Sequence, residues 1–458
     1  MHELAALAGA VEGDVLLPDA PGYATVRPPA FAQYMAVRPK LVVRCTTPAD
    51  VAEAIAFSRR HGLEVAVRAG GHSFAGRSST RGLLIDLSPM NHVRLAEGIA
   101  TMGAGSLLGE IYGRLEPEGM TIAAGACPSV GIAGLTLGGG LGIIGRAYGL
   151  TCDQLLEAEV VLPDGRVVVC NAQEHVDLFW ALRGAGTDGF GVVTSFSFRT
   201  VPAHQLTCFR FAWPLSFAAQ LLGAWQAWAP QAPDKLAASL LFNAPADASR
   251  PPLVTLFGAM LADAAETTRL LDELIADVGA EPAARTLAYL SSGAAKRYLA
   301  EHAPGAEQAA TTEPPLMFSK SEFFQRPLPK DAIAELIDHF ERDRAPGEAR
   351  ELDFTPWGGA YNRVDPAATA FVHRNELFLL KHAVILAANA EPLQQAAARK
   401  WLRRSWDLVH PWGSDGVFPN FADPDLSDPA GAYFGANRER LAQILVRMTD
   451  SRHERRAP

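Results

Sequence analysis

The chain has 458 residues, of which 48% are hydrophobic and 20% charged, and its formal net charge is −9. This length predicts two or three packed domains, and an acidic balance without a basic stripe argues against a nucleic-acid partner. No run of 18 apolar residues is present to span a membrane, and the N-terminal residues lack the basic flank of a signal peptide.

The cysteines indicate the redox environment. There are five, an odd number, and no two of them form a CxxC pair. This spacing argues against a disulfide framework and against a zinc site. We therefore expect no metal, and a protein that works in the reducing cytoplasm.

The first part of the chain alternates predicted strands with a helix. A strand is predicted over 41–43, and strands follow over 63–67 and 83–87. Between the first two, Thr47 is a good N-cap for a helix that begins at Pro48 and ends near His61. This order is typical of the beginning of a βαβ unit.

The remaining elements fall into two groups that differ in character. In chain order they are strands over 155–161, 167–170 and 190–198, then strands such as 206–213 and 253–261 mixed with Ala-rich helices near 216–228, 263–277 and 330–344. The change near residue 201 places a second domain over 201–407. The Pro-rich stretch after His410, followed by one helix, predicts a tail that packs back onto another element.

Two glycine-rich segments carry the first chemical signals. Residues 65–76 (VAVRAGGHSFAG) place a strand before a glycine turn, where consecutive backbone N–H groups can hold a pyrophosphate. Taken alone, this segment also fits an ordinary turn with a surface histidine. Residues 125–149 are glycine-dense and almost uncharged, which predicts a flat ligand lying against the main chain.

A nicotinamide cofactor is not expected at the second segment. Residues 140–145 (GLGIIG) match the dinucleotide pattern GxGxxG. However, Tyr148-Gly149-Leu150 follows almost at once and would end any phosphate-binding helix. A third segment, 177–194, indicates by itself only an α/β core.

The three segments together, in this order and spacing, closely resemble the berberine-bridge-enzyme-like family of FAD-linked oxidases. The resemblance covers about residues 15–441 and includes GGA at 358–360, AFVHR at 370–374, NFADPDL at 420–426 and YFGAN at 433–437. It implies the vanillyl-alcohol-oxidase type of flavoprotein fold and FAD as the cofactor. The expected fold class is therefore α+β: a PCMH-type FAD-binding domain over 1–200, completed by 408–458, and an α/β substrate-binding domain over 201–407 with an antiparallel sheet.

The resemblance also implies how FAD is held. His72 occupies the position of the histidine bonded to the flavin 8α-methyl carbon, and Cys127 that of the cysteine that many members bond to flavin carbon 6. Two such bonds would raise the redox potential of the ring and leave room for a bulky substrate. Val130 matches a position thought to gate oxygen, with simple packing as the alternative. The residues implied in cofactor binding are Arg68, Ala69, Gly70, Gly71, His72, Ser73, Gly76, Cys127, Val130, Gly131, Gly134, Gly138, Gly142, Val192, Val193 and Asn437.

Candidate catalytic bases lie in the second domain. Asp353 shares one face of a predicted strand over 352–357 with Thr355 and Trp357, in a region where relatives often carry an acid or a tyrosine. It is our first candidate to take a proton from the substrate. Tyr361 and His382 are alternatives, and a structural role is the competing interpretation for each of the three.

The chain departs from the family in two places. Many relatives have a catalytic tyrosine two residues before the Asn of the tail motif, and here that residue is Phe418. A phenyl ring accepts no proton, so this position favours amine oxidation relative to sugar or alcohol oxidation. The end of the chain also differs, because Leu441 leads into MTDSR at 448–452 instead of the family's Lys and Tyr-Asp-Pro.

The expected activity follows from these features. We expect an FAD-dependent oxidase with bicovalently attached flavin that removes two electrons from a C–OH or C–NH carbon of a bulky sugar, amine or secondary metabolite. Oxygen would be the electron acceptor. An acceptor-dependent dehydrogenase is the enzymatic alternative. The second alternative, suggested by Phe418 and the unusual tail, is a protein that holds flavin but catalyses no reaction.

Overall fold

The structure is a computed structural model that describes residues 2–26, 28–302 and 313–450. Its helices are α1 (His2–Ala10), α2 (Pro48–His61), α3 (Leu108–Leu115), α4 (Ile132–Leu137), α5 (Gly145–Tyr148), α6 (Val176–Ala185), α7 (Ala218–Trp228), α8 (Ala264–Val278), α9 (Ser292–His302), α10 (Lys330–Glu341), α11 (Ala360–Arg363), α12 (Pro392–Val409), α13 (Pro429–Phe434) and α14 (Arg438–Asp450).

The strands lie in three larger sheets and one pair. They are β1 (Asp14–Leu16), β2 (Leu41–Arg44), β3 (Val65–Arg68), β4 (Leu83–Asp86), β5 (Val93–Ala96), β6 (Ile99–Gly103), β7 (Met120–Thr121), β8 (Leu155–Val161), β9 (Val167–Asn171), β10 (Val192–Arg199), β11 (Val201–Pro202), β12 (Leu206–Pro214), β13 (Leu236–Ala244), β14 (Leu253–Met260), β15 (Ala284–Leu290), β16 (Leu316–Phe324), β17 (Ala349–Pro356) and β18 (Phe378–Leu386).

The first half of the chain forms two of these sheets. One has the order β1-β2-β4-β3, with β2, β4 and β3 parallel, as the βαβ pattern predicts. The other is antiparallel with the order β5-β6-β10-β8-β9. The predicted α+β class is confirmed.

Helix α2 has the predicted limits because both of its ends are capped. The Thr47 side chain accepts from the Asp50 backbone N–H at 3.3 Å, and Gly62 ends the helix with φ 59°. The Asp50 carboxylate also accepts from the backbone of Glu12 and Thr46, both at 2.8 Å. Burial would raise the pKa of Asp50, but these hydrogen bonds outweigh it and hold the pKa below its usual value. This residue therefore ties the start of the chain to α2.

The second half forms an antiparallel sheet of seven strands, ordered β15-β12-β14-β13-β17-β18-β16. One face carries Leu352 and Phe354 into a core built with α7, α8, α10 and α12. The opposite face carries Leu379 against Leu150 of the first half. All nine residues of β18 are buried, because both faces of the sheet are covered.

The described part of the tail, from His410 to Asp450, contains two α-helices, whereas its sequence predicts one. Helix α13 begins where the Asp428 side chain accepts from the Gly431 N–H at 3.0 Å and Pro429 takes the first helical position. The prediction is wrong because the prolines of this stretch indicate a loop, whereas Asp428-Pro429 is also a helix start signal. Val417 and Leu441 of the tail lie in the core of the first half, which supports the proposed completion of that domain by 408–458. The sequence beyond Asp450 lies outside the described residues.

Two strands begin two residues later than predicted. Strand β3 starts at Val65, and β10 starts at Val192 instead of Phe190. Gly191 explains the second case, because its φ of 140° breaks the extended backbone. None of the described helices combines the length and the apolar character needed to cross a membrane.

Candidate functional site

The two predicted flavin-attachment residues lie side by side. His72 follows β3, and its Nε2 is 3.0 Å from the Ser129 Oγ. The Cys127 Sγ is 3.4 Å from the same oxygen. Two loops that are 57 residues apart in the chain therefore bring an imidazole and a thiol to one place.

The loops approach so closely because both carry glycine at the crossing. A Cβ on Gly70 would lie 2.3 Å from the Gly131 nitrogen, and a Cβ on Gly131 would lie 2.5 Å from the Gly70 nitrogen. Real side chains do not fit at such distances. These two predicted cofactor glycines thus first serve to join the His72 loop to the Cys127 loop.

Other predicted residues shape the His72 loop from inside. Arg68 donates through Nε to the Ser78 carbonyl at 2.9 Å, and the Ser73 hydroxyl accepts from the Arg77 N–H at 3.0 Å. Gly71 and Gly76 have φ of 78° and 70°, a region that favours glycine. Ala69 packs beside Gly131, with its Cβ 3.1 Å from where a Gly131 Cβ would be.

The glycine-dense segment is packed against the tail. The Asn420 amide nitrogen donates to the Gly134 carbonyl at 2.8 Å, and its oxygen accepts from the Gly140 N–H at 3.0 Å. A Cβ on Gly138 would collide with the same amide at 2.4 Å, and one on Gly142 would lie 2.6 Å from the Ala124 carbonyl. Asn420 is the first residue of the NFADPDL motif but is not among the predicted site residues. Helix α5, which begins at the end of the GLGIIG pattern, has only four residues, as expected if no phosphate-binding helix forms there.

Three predicted cofactor residues are not brought to His72. Val192 and Val193 begin β10 and are buried in the core of the first half. The Asn437 amide nitrogen lies 2.8 Å from the Pro366 carbonyl and 3.1 Å from that of Thr369. Asn437 therefore holds the loop before Phe371, and any effect of its side-chain N–H groups on FAD would be indirect.

Asp353 is the candidate base that faces the first half of the molecule. It lies on the β17 face opposite Leu352 and Phe354, with its Oδ2 3.6 Å from the Lys381 Nζ. Its Oδ1 is buried without a hydrogen-bond partner. Burial raises the pKa of Asp353, and the charge of Lys381 offsets this only in part.

Aromatic rings connect this acid–lysine pair to the His72 loop. The Lys381 Nζ is 5.2 Å from the centroid of the Phe421 ring, and that ring is 5.4 Å from the ring of Phe74. Phe74 is two residues after His72. Phe418 packs 5.2 Å from Phe421 and is almost fully buried, and it has no group that can accept a proton.

The structure does not support the two alternative bases. Tyr361 is 1% exposed, donates to the Gly142 carbonyl at 3.1 Å, and has its pKa raised by burial. His382 lies on the helix-covered face of the sheet, bonded to Ser405 at 2.8 Å. Burial lowers its pKa to about 3. His382 is thus on the wrong face of the sheet, and Tyr361 supports the glycine-dense segment.

Comparison with known proteins agrees with this geometry. Residues 39–171 match a FAD-binding-domain family model. The chain is 30% identical to the uncharacterized FAD-linked oxidoreductase YgaK of Bacillus subtilis, over 89% of this chain and 87% of that protein. It is 29% identical to the chitooligosaccharide oxidase of Gibberella zeae, over 91% and 86%. The solved structure of Physcomitrella patens BBE-like 1 superposes with a TM-score of 0.84 at 26% identity, covering 96% of this chain and 95% of that one.

The fold and the site define an FAD-dependent oxidoreductase. The chain belongs to the berberine-bridge-enzyme-like family of FAD-linked oxidoreductases. The residues present suit that cofactor: of the five cysteines, Cys127 alone is exposed, and it lies beside His72 where glycines let two loops meet. The predictions of family and cofactor are confirmed.

Proposed function

We propose that this protein is an oxidase with FAD bonded to both His72 and Cys127. It removes two electrons from a C–OH or C–NH carbon of a bulky small molecule. The observation that carries the proposal is the approach of both side chains to the Ser129 hydroxyl, at 3.0 and 3.4 Å. FAD supplies the two-electron acceptor, and the chain supplies its attachment and a base.

Attachment is tested by intact mass and by colour after acid denaturation. Either bond alone holds the flavin, so His72→Ala and Cys127→Ala should each stay yellow, and the double variant should lose the colour. Cys152→Ala is the matched control, because that thiol is fully buried and burial raises its pKa. Wild-type protein with the mass of the bare polypeptide would refute covalent attachment.

We propose Asp353 as the base that takes the substrate proton. Its unpartnered Oδ1 is free to accept, and Lys381 stabilises the carboxylate beside it. Phe418 in place of a tyrosine favours an amine substrate, since an amine that binds neutral needs no strong base. Asp353 would then bind the amine, and it acts as the base only with an alcohol. The chitooligosaccharide oxidase among its relatives keeps a sugar as the second candidate.

We propose oxygen as the final electron acceptor, which takes the electrons from the reduced flavin. We propose that Val130 lies beside the path of oxygen to the flavin. Val130 is half-buried, packs against the first core, and lies in the same loop as Cys127. Flavin bleached by substrate without air should recover its colour quickly when air is admitted. Val130→Leu should slow this step, because the larger side chain fills space on the proposed path of oxygen. Recovery only with an added dye would indicate a dehydrogenase. No bleaching with sugars, amines or polyphenols would favour the non-catalytic alternative.

We also propose that the protein works in the cytoplasm. All five cysteines are free thiols, and four of them are buried. A reducing compartment suits such a set. Fractionation of the source cells tests this, and recovery outside the cytosol would refute it.

A further inference from the structure

Tyr112 connects helix α3 to the Cys127 loop. Its side chain is 6% exposed, and its hydroxyl donates to the Gly125 carbonyl at 2.5 Å. Gly125 is two residues before Cys127. A shift of the Tyr112 ring would therefore move the backbone that carries the sulfur.

The other end of the Cys127 loop is fixed to the start of α3. The Leu108 N–H donates to the Val130 carbonyl and the Gly109 N–H to the Pro128 carbonyl, both at 3.0 Å. The loop is thus held on both sides of Cys127, whose side chain remains exposed. This arrangement fixes the backbone while leaving the thiol accessible.

Lys296, on α9 in the second half of the chain, fixes the Tyr112 ring. Its Nζ lies 3.5 Å from the centroid of that ring and 2.8 Å from the Glu116 Oε1, and it is 3% exposed. A buried ammonium over an aromatic face is attracted to it. Gly293 allows this approach, since a Cβ there would lie 1.9 Å from the Glu116 Oε2.

We propose that Tyr112 and Lys296 are positioning residues for the second covalent bond, and that docking of α9 aims the Cys127 sulfur at flavin carbon 6. This inference rests on the bicovalent attachment proposed above. The new S–C bond replaces the thiol S–H and the ring C–H. Both hydrogens leave as protons, and the two electrons pass through the flavin to oxygen, which gives hydrogen peroxide. The His72 loop touches the Cys127 loop but is also held by contacts of its own, from Arg68 to Ser78 and from Arg77 to Ser73, so the first bond does not need Tyr112.

The test measures how much Cys127 stays unlinked. Purified holoprotein is denatured, alkylated with iodoacetamide and digested, and the Cys127 and His72 peptides are quantified by mass spectrometry. Tyr112→Phe and Lys296→Met should each raise alkylated Cys127 several-fold, while total flavin-bound His72, counted with and without the Cys127 peptide joined through the flavin, stays at the wild-type level. Lys296→Arg keeps the charge and should restore much of the linkage.

Tyr23→Phe is the matched control. The Tyr23 hydroxyl donates to the Pro39 carbonyl at 2.7 Å, and its side chain is buried in the same half of the molecule. This variant should link normally. Full linkage in Tyr112→Phe and Lys296→Met would overturn the inference alone, as would equal loss of both flavin bonds. Unlinked Cys127 in the wild type would overturn it together with the bicovalent proposal. If Tyr112→Phe does not fold, the two Lys296 variants decide.

Discussion

At the scale of single residues, Asp353 and His382 show what a strand pattern can and cannot predict. Alternation along β17 placed Asp353 opposite Leu352 and Phe354, as the structure finds. His382 required the pairing of β17 with β18, which sets it beside Leu352 on the helix-covered face. That register joins distant segments, so the sequence could not supply it.

The resemblance supplied His72 and Cys127, whereas their shared neighbour could not be predicted. Ser129 is two residues after Cys127 and 57 residues from His72, and only the crossing of two loops brings its hydroxyl between them. Asn420 is a similar case, since its partners Gly134 and Gly140 are about 280 residues away. Short motifs reveal such residues but not their partners.

Asp353→Asn should slow flavin reduction by about 10²–10⁴-fold with an alcohol substrate, with little change in binding. Because burial raises the pKa of Asp353, the wild-type rate should increase with pH as the carboxylate loses its proton, above the usual range for Asp. The asparagine variant should lose this increase. Stopped-flow reduction without air, measured across pH, gives both results.

An amine substrate would give a different result in the same measurement. The rate would follow the ionisation of the amine in both proteins, and the variant would bind more weakly instead of reacting more slowly. Asp423→Asn is the control, since it removes a second buried carboxylate that pairs with a lysine, Lys320. If Asp353→Asn kept the wild-type dependence of flavin reduction on pH for every substrate, the role of Asp353 would be structural only.

At the scale of elements, local signals predicted α2 because both caps lie within the segment. The N-cap at Thr47 and the left-handed Gly62 need no distant partner. The glycine segments were harder to interpret. The sequence indicated close approach to a ligand, whereas Gly70 and Gly131 approach each other and Gly138 approaches Asn420. Glycine density predicts a close contact without naming the group on the other side.

Gly70→Ala should therefore impair folding and flavin attachment together. Its methyl group would lie 2.3 Å from the Gly131 nitrogen, so the two loops must separate. Gly134→Ala is the control, since no atom lies within 4 Å of its Cβ position. Soluble yield, thermal melting and flavin content should fall for Gly70→Ala, and the first two should stay normal for Gly134→Ala. Equal behaviour of the two variants in yield and melting would contradict the loop contact.

At the scale of the whole molecule, buried charges join the two halves. The Arg146 guanidinium, 2% exposed, donates to the carbonyls of Trp357 and Ala232 in the second half, the latter at 2.7 Å. The Arg374 guanidinium donates two hydrogen bonds to the Asp153 carboxylate, at 2.9 and 2.7 Å. The partners of the second pair are 221 residues apart, so their meeting depends on the complete fold. The length predicted two or three domains but not how they join.

Arg374→Met should destabilise the protein strongly, because it leaves the Asp153 carboxylate buried without its cation. Removing one partner of a buried pair costs about 3–5 kcal/mol, which lowers the melting temperature by an amount on the order of 5 °C in a chain of this size. Arg363→Met is the control, since Arg363 forms an ion pair with Asp234 in which both side chains are exposed. Such surface pairs contribute about 0–1 kcal/mol, so its melting temperature should hardly change. Calorimetry should show wild type melting in one transition if the halves unfold together. Equal shifts in both variants would mean that the buried pair holds the halves no better than a surface contact.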